Sequence, residues 1–111
     1  MPISNPAPQE KNGIIYLDYI NSTSATVTST AERILVDNTY RIGINILNTG
    51  VLPVYIDLKV VPTANTYWIK LDPGAFYESP SSFNFIGEIY AMTIGGGTAI
   101  LQIREFVSDP G

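Results

Sequence analysis

The sequence predicts an all-β fold, a single antiparallel β-sandwich of the jelly-roll or immunoglobulin-like kind. Apolar residues recur with a period of two in several segments. Turn-forming residues punctuate the chain roughly every 8–12 residues, the spacing of a sandwich or barrel. No segment carries an apolar repeat at i, i+3, i+4, i+7 free of helix breakers.

Taken in chain order, residues 1–13 read as an extended N-terminal arm. Pro2, Pro6 and Pro8 each lack an N–H and fix φ, which blocks regular structure, and Gly13 closes the segment. Residues 14–107 read as the sandwich and 108–111 as a C-terminal tail. Three segments alternate clearly. In 41–48, Ile42, Ile44 and Ile46 share a face; in 54–60, Val54, Ile56, Leu58 and Val60 do; in 98–106, Ala99, Leu101 and Ile103 do. Successive strand side chains face opposite sides, so each set can line a core. Weaker patterns predict strands over 14–20, 24–29, 33–37, 66–71, 75–78 and 88–94, and a short helical turn is allowed near Thr30–Arg33. The Ser/Thr/Val run from 22 to 30 is poor helix material and acceptable strand material. Asn48-Thr49-Gly50 and Asp72-Pro73-Gly74 carry turn chemistry. Gly95-Gly96-Gly97, between two strong strand patterns, reads as a hairpin tip.

The totals exclude several function classes. The 111 residues suit one domain, and the chain holds no Cys and no His. Disulfides, thiolate metal sites, the commonest general base and the commonest transition-metal ligand are therefore absent. Six Lys and Arg against ten Asp and Glu give a net charge of −4, a poor match to phosphate, so no nucleic acid is expected as a partner. No apolar run approaches the ~20 residues of a membrane helix, and the N-terminus lacks the pattern of a secretory signal, so no membrane association is expected either. Charged residues make up only 14 % of the chain, against a usual ~25 %. Interfaces are depleted in Lys, Glu and Asp and enriched in Tyr and Trp, so this composition suits a surface covered by neighbours as well as a plain polar β-protein.

A search for catalytic chemistry returns little. There is no SxxK, no GxxxxGK[ST] and no DxDxDG calcium loop. Strand alternation allows Asp57 to sit beside Glu88 or Glu105 as a carboxylate pair, but nothing in the pattern requires it. The expectation is a protein that is not an enzyme and has no catalytic residues, cofactor or metal. The aromatic residues are more informative. Tyr55 falls opposite Val54, Ile56 and Leu58, and Trp68 falls opposite Tyr67, Ile69 and Leu71. One of each opposed set should point outward, where Tyr and Trp supply large contact area at low entropy cost. Tyr77, and Phe83 with Phe85 in the polar loop 79–85, extend this partner-binding set, while Pro2, Ile3, Pro6 and Pro8 form the partner-binding arm. Each of these aromatics has an alternative role, closing an open end of the sandwich.

Arg33-Ile34-Leu35-Val36, Arg41 to Gly50, Pro53-Val54-Tyr55-Ile56, Ile69 to Glu78 with its Leu71-Asp72-Pro73-Gly74, Gly87-Glu88-Ile89-Tyr90-Ala91 and Thr98 to Phe106 together resemble a recurrent class of small tailed-bacteriophage proteins. The resemblance spans about residues 33–106 and consists of strands and turns, with no catalytic signature. It implies a structural virion protein, of the head-decoration or capsid-stabilising type, on the capsid exterior and assembled in the host cytoplasm. It implies the major capsid protein or other virion subunits as partners, and a homo-oligomer with a trimer favoured. A fibre or tail adaptor piece is the neighbouring possibility within the class. A carbohydrate-binding module, with Trp68 and Tyr55, Tyr67 or Tyr77 as its platform, is the reading from a different class.

Overall fold

The computed structural model describes residues 10–11, 14–15, 17–80 and 85–108, with the backbone alone at 10–11, 14–15 and Asp18. The arm residues Pro2, Ile3, Pro6 and Pro8, and Phe83 of the 79–85 loop, lie outside the described residues.

The chain is an antiparallel β-sandwich, and no helix occurs among the described residues. A two-residue pair, β1 (Glu10–Lys11) with β2 (Ile14–Ile15), precedes the body. The body contains β3 (Leu17–Val27), β4 (Glu32–Leu35), β5 (Arg41–Asn48), β6 (Val54–Leu58), β7 (Ile69–Leu71), β8 (Phe76–Glu78), β9 (Ile89–Met92) and β10 (Ala99–Ser108). Sheet I has the order β3-β10-β5-β8, and sheet II the order β4-β9-β6-β7. Consecutive strands switch sheets at every step except β6 to β7. That interleaved order across two four-stranded sheets is the double Greek key of a jelly roll. Of the two topologies open from sequence, the immunoglobulin-like one is thereby excluded.

The core lies between the sheets. Ile44 and Ile46 of β5 and Leu101 and Ile103 of β10 face Val54 and Ile56 of β6 and Ile89 and Ala91 of β9, and all are essentially solvent-free. Burying each such aliphatic side chain is worth roughly 1.5–3 kcal/mol.

Several boundaries differ from expectation, each for a local reason. Segments 14–20 and 24–29 do not form two strands, because 17–27 is one continuous strand along β10. The turn allowed near Thr30–Arg33 is a bend leading into β4. Ile42 is not a core residue: the ladder between β5 and β10 slips between Phe106 and Val107, so Arg41 pairs with Val107 and takes the inward position instead. Val60 lies beyond the end of β6 and is exposed, since Lys59 adopts a left-handed φ of 68° that ends the strand. Trp68, placed by the sequence in the outward partner-binding set, turns inward instead. The strand begins only at Ile69, so alternation does not reach it; Trp68 packs against the core and Tyr67 is exposed. Gly95-Gly96-Gly97 is not a hairpin tip. It carries the chain from β9 in sheet II to β10 in sheet I, with Gly95 and Gly96 at φ near +90°.

Each end of the sandwich is fastened by one buried polar side chain. At the first, the crossovers β5–β6, β7–β8 and β9–β10 meet around Asn48. Its Nδ2 donates to the carbonyls of Leu52 and Leu71, and its Oδ1 accepts from the Gly50 N–H. Its own N–H donates to the Ala75 carbonyl, and its carbonyl accepts from Gly74. A Cβ at Gly50 would lie 2.8 Å from the Ala99 Cα, so the β5–β6 and β9–β10 crossovers touch there. At the opposite end the Arg41 side chain, fully buried, donates to Glu105 Oε2 at 2.8 Å and to the carbonyls of Val36, Phe85 and Gly87. Glu105 in turn accepts from Asn21 Nδ2 at 2.9 Å. Among the described residues no buried side-chain nitrogen or oxygen lacks a partner.

Candidate functional site

Two surfaces collect the residues singled out by sequence, and a third stands apart from them. The first is the edge between the sheets, where β7 and β8 end sheets II and I. Trp68 and Tyr77 meet there edge-to-face, with ring centroids 5.0 Å apart and planes at 75°. Both are partly buried against the core, and burial raises the Tyr77 phenol above its ordinary range. They seal the edge. Phe85 plays a similar part at the Arg41 end: it packs against the core, with its ring where a Cβ on Gly87 would stand.

The second surface is the outer side of sheet II. The β6–β7 and β6–β9 registers align Tyr55 with Lys70 and Met92, and Asp57 with Tyr90. Tyr55 meets Tyr67 edge-to-face at 5.0 Å and 79°, and the Lys70 ammonium lies 5.7 Å from the Tyr55 ring centre. Alongside, Arg33 donates to Glu88 at 2.8 Å and the Tyr90 hydroxyl donates to the other oxygen of Glu88 at 3.1 Å. These two hydrogen bonds, Arg33 first, hold the Glu88 carboxyl below the usual carboxylate range. Tyr90 is pushed up, by partial burial and then by its bond to Glu88, and Arg33 is raised by the same carboxylate. Asp37, rather than the Asp57 considered from sequence, lines a depression of about 320 Å³ with Glu88, together with Thr39, Lys59, Ile86 and Gly87. The Arg33 guanidinium holds the Glu88 carboxyl ionised, which makes it a poor proton donor. Glu105, the other partner considered for Asp57, points inward from sheet I to Arg41.

The third surface escaped the sequence reading. On the outer side of sheet I, the registers line up Phe76, Leu47, Gln102 and Ser24 in one row and Glu78, Asn45, Arg104 and Ser22 in the next. Ile20 and Phe106 share a third row, and Ile100 stands at the far end. Phe76 is 55 % exposed, Ile20 46 % and Ile100 44 %. A shallow groove of about 360 Å³ runs beside Phe106 between Leu17, Ile42, Asn45, Glu78 and Ser79. The signal for this face was present as the outward halves of alternating pairs, Leu47 beside Ile46 and Ile100 beside Leu101, but the aromatic count drew attention to Tyr and Trp.

Among the described residues no three His, Cys, Asp or Glu side chains come together as a metal site, and no helix is long and apolar enough to cross a membrane. No protein-family model matches the chain, and no curated protein matches it.

Proposed function

We propose that this chain is a structural protein of a tailed-phage particle, seated on the capsid exterior by protein–protein contact through the outer side of sheet I, with other copies of itself around it. The observation that carries this reading is the half-exposed apolar set Phe76, Ile20 and Ile100 on a strand face whose central row offers only Arg104 and Glu78 as charges. These three side chains stand in separate rows, with Gln102, Ser24, Arg104 and Asn45 between them, and offer spaced apolar anchors on a face that is otherwise mostly uncharged. The low charge fraction and the strand-and-turn resemblance to small tailed-phage proteins support a shell as the partner. A shell repeats each contact many times, so modest single-site affinity becomes strong avidity. The sugar-binding reading has less behind it, because both aromatic pairs are near-perpendicular and present no coplanar stacking platform.

The test is co-sedimentation with assembled particles stripped of this protein. Phe76→Ser with Ile100→Thr should lose most occupancy while circular dichroism stays unchanged, and removal of residues 1–13 should weaken it further. Undiminished occupancy of the double variant sinks the assignment of the face. A wild-type chain that ignores particles sinks the reading itself.

A further inference from the structure

We propose that β3 pairs antiparallel with β3 of a second copy, forming a two-fold dimer in which sheet I runs on through both protomers. Sheet I ends in β3 and β8, and sheet II in β4 and β7. Three of these edges are blunted in the ways soluble proteins use to avoid edge-to-edge pairing. β7 and β8 are three residues each and carry Lys70 and Glu78. β4 is four residues, with a register slip between Arg33 and Leu35 and a charged pair from Arg33 to Glu88. β3 is interrupted only near its start, where its register slips between Leu17 and Tyr19. It runs for eleven residues without Pro or Gly, and Asp18 is its one charged residue. Among the described residues its far side pairs with no strand. Leu17 and every residue of 19–24 are exposed.

A second copy is the occupant that the chain's own strands favour. The arm 1–13 of a neighbour would make a poor added strand, because Pro2, Pro6 and Pro8 cannot donate to a ladder. β4, β7 and β8 are too short and too charged to extend along β3. Among the described strands β3 is itself the one long free edge, and it is self-complementary. Antiparallel pairing over its regular stretch, 19–25, puts Ser22 opposite Ser22 of the second copy and keeps inward residues beside inward residues. Tyr19 then meets Ala25, Ile20 meets Ser24, and Asn21 meets Thr23. The two copies of Asp18 fall at opposite ends of the seam, so no like charges oppose each other. The exposed Tyr19 gains Ala25 as an apolar neighbour, and the small Ser and Thr residues in the middle let the backbones approach. Such a contact is isologous, so it closes at two copies and consumes both edges. It is two-fold where the resemblance implies three-fold sites. It uses the rim of sheet I, and of the three shell-facing side chains only Ile20 lies on that rim.

Sedimentation equilibrium of the full chain tests this. The wild type should approach twice its 12.1 kDa. Ser22→Lys and Ser22→Asp, each at an exposed position, should each self-associate at least about tenfold more weakly, because like charges then face each other across the axis. Mixing the two variants should restore the dimer. Hydrogen exchange of wild-type residues 17–27 should quicken on dilution. A monomeric wild type, a Ser22→Lys variant that still dimerises, or exchange in 17–27 indifferent to dilution overturns the proposal. So does protection of β3 that arises only when particles are added, which would assign the edge to a strand of another protein.

Discussion

Arg41→Met is the perturbation that most directly tests how the sandwich is fastened. The Arg41 side chain is fully buried and that of Glu105 nearly so, 2.8 Å apart. Removing one member of a buried ion pair leaves the other charge uncompensated and typically costs 3–5 kcal/mol. Here the carbonyls of Val36, Phe85 and Gly87 also lose a donor. Water entering the space offsets part of that second loss, so about 4 kcal/mol is expected, a large share of the ~5–15 kcal/mol that holds a domain. Glu105→Gln keeps the shape, but its single amide oxygen can accept from Arg41 Nε or from Asn21 Nδ2 and not from both, and the Arg41 guanidinium loses its counter-charge, so it should cost about 3–5 kcal/mol. The double variant Arg41→Met with Glu105→Leu removes both charges together and should be more stable than the sum of its single variants by at least about 1 kcal/mol. Urea unfolding followed by fluorescence of Trp68, the single tryptophan, measures all of these. A cost below about 1 kcal/mol for Arg41→Met, or strict additivity in the double variant, would refute the reasoning.

Two further predictions concern the opposite end and the outer side of sheet II. Asn48→Ala strands the buried carbonyls of Leu52 and Leu71 and frees the Gly50 N–H, so it should cost about 2–3 kcal/mol in the same urea assay; a loss under about 0.5 kcal/mol would mean the crossovers hold without it. The Glu88 carboxyl is depressed by Arg33 and Tyr90, so the stability it contributes is present above the unfolded carboxyl's range and is lost as pH falls through its folded value. Its carbon-detected NMR titration should have a midpoint below that of an ordinary Glu and move up in Arg33→Ala; a midpoint at or above the ordinary value contradicts the contact.

The sandwich class was readable because strong alternation survives wherever a strand is buried on one face and wet on the other, as in 99–103 and 54–58. What escaped reading has physical causes. Periodicity reports the side a residue faces but not which strand lies next to it, so Gly95-Gly96-Gly97 between two good strands resembled a hairpin although the chain there changes sheets. A one-residue slip moved Arg41 inward and Ile42 outward, against the polarity of both. Glu105 could have been found: it continues the inward series Leu101, Ile103, Val107, and a carboxylate on an inward face demands a buried cation. Of the aromatic set, Trp68, Tyr77 and Phe85 pack on their own domain and Tyr55 faces outward, a division that depends on where each strand starts. The apolar outer side of sheet I required the register, because Ile20, Ile100 and Phe76 lie on three strands far apart in sequence.

The place of β10 bears on how the molecule comes into being. It is the last of the described strands, yet it lies in the interior of sheet I, between β3 and β5. A ribosome therefore delivers β3 and β5 well before the strand that joins them, and their greasy sides wait without a shared neighbour. Distant pairings of this sort close slowly, and waiting strands are prone to stick to the wrong chain. Yield in the cell should thus depend more on the speed and temperature of synthesis than on the strength of the finished fold.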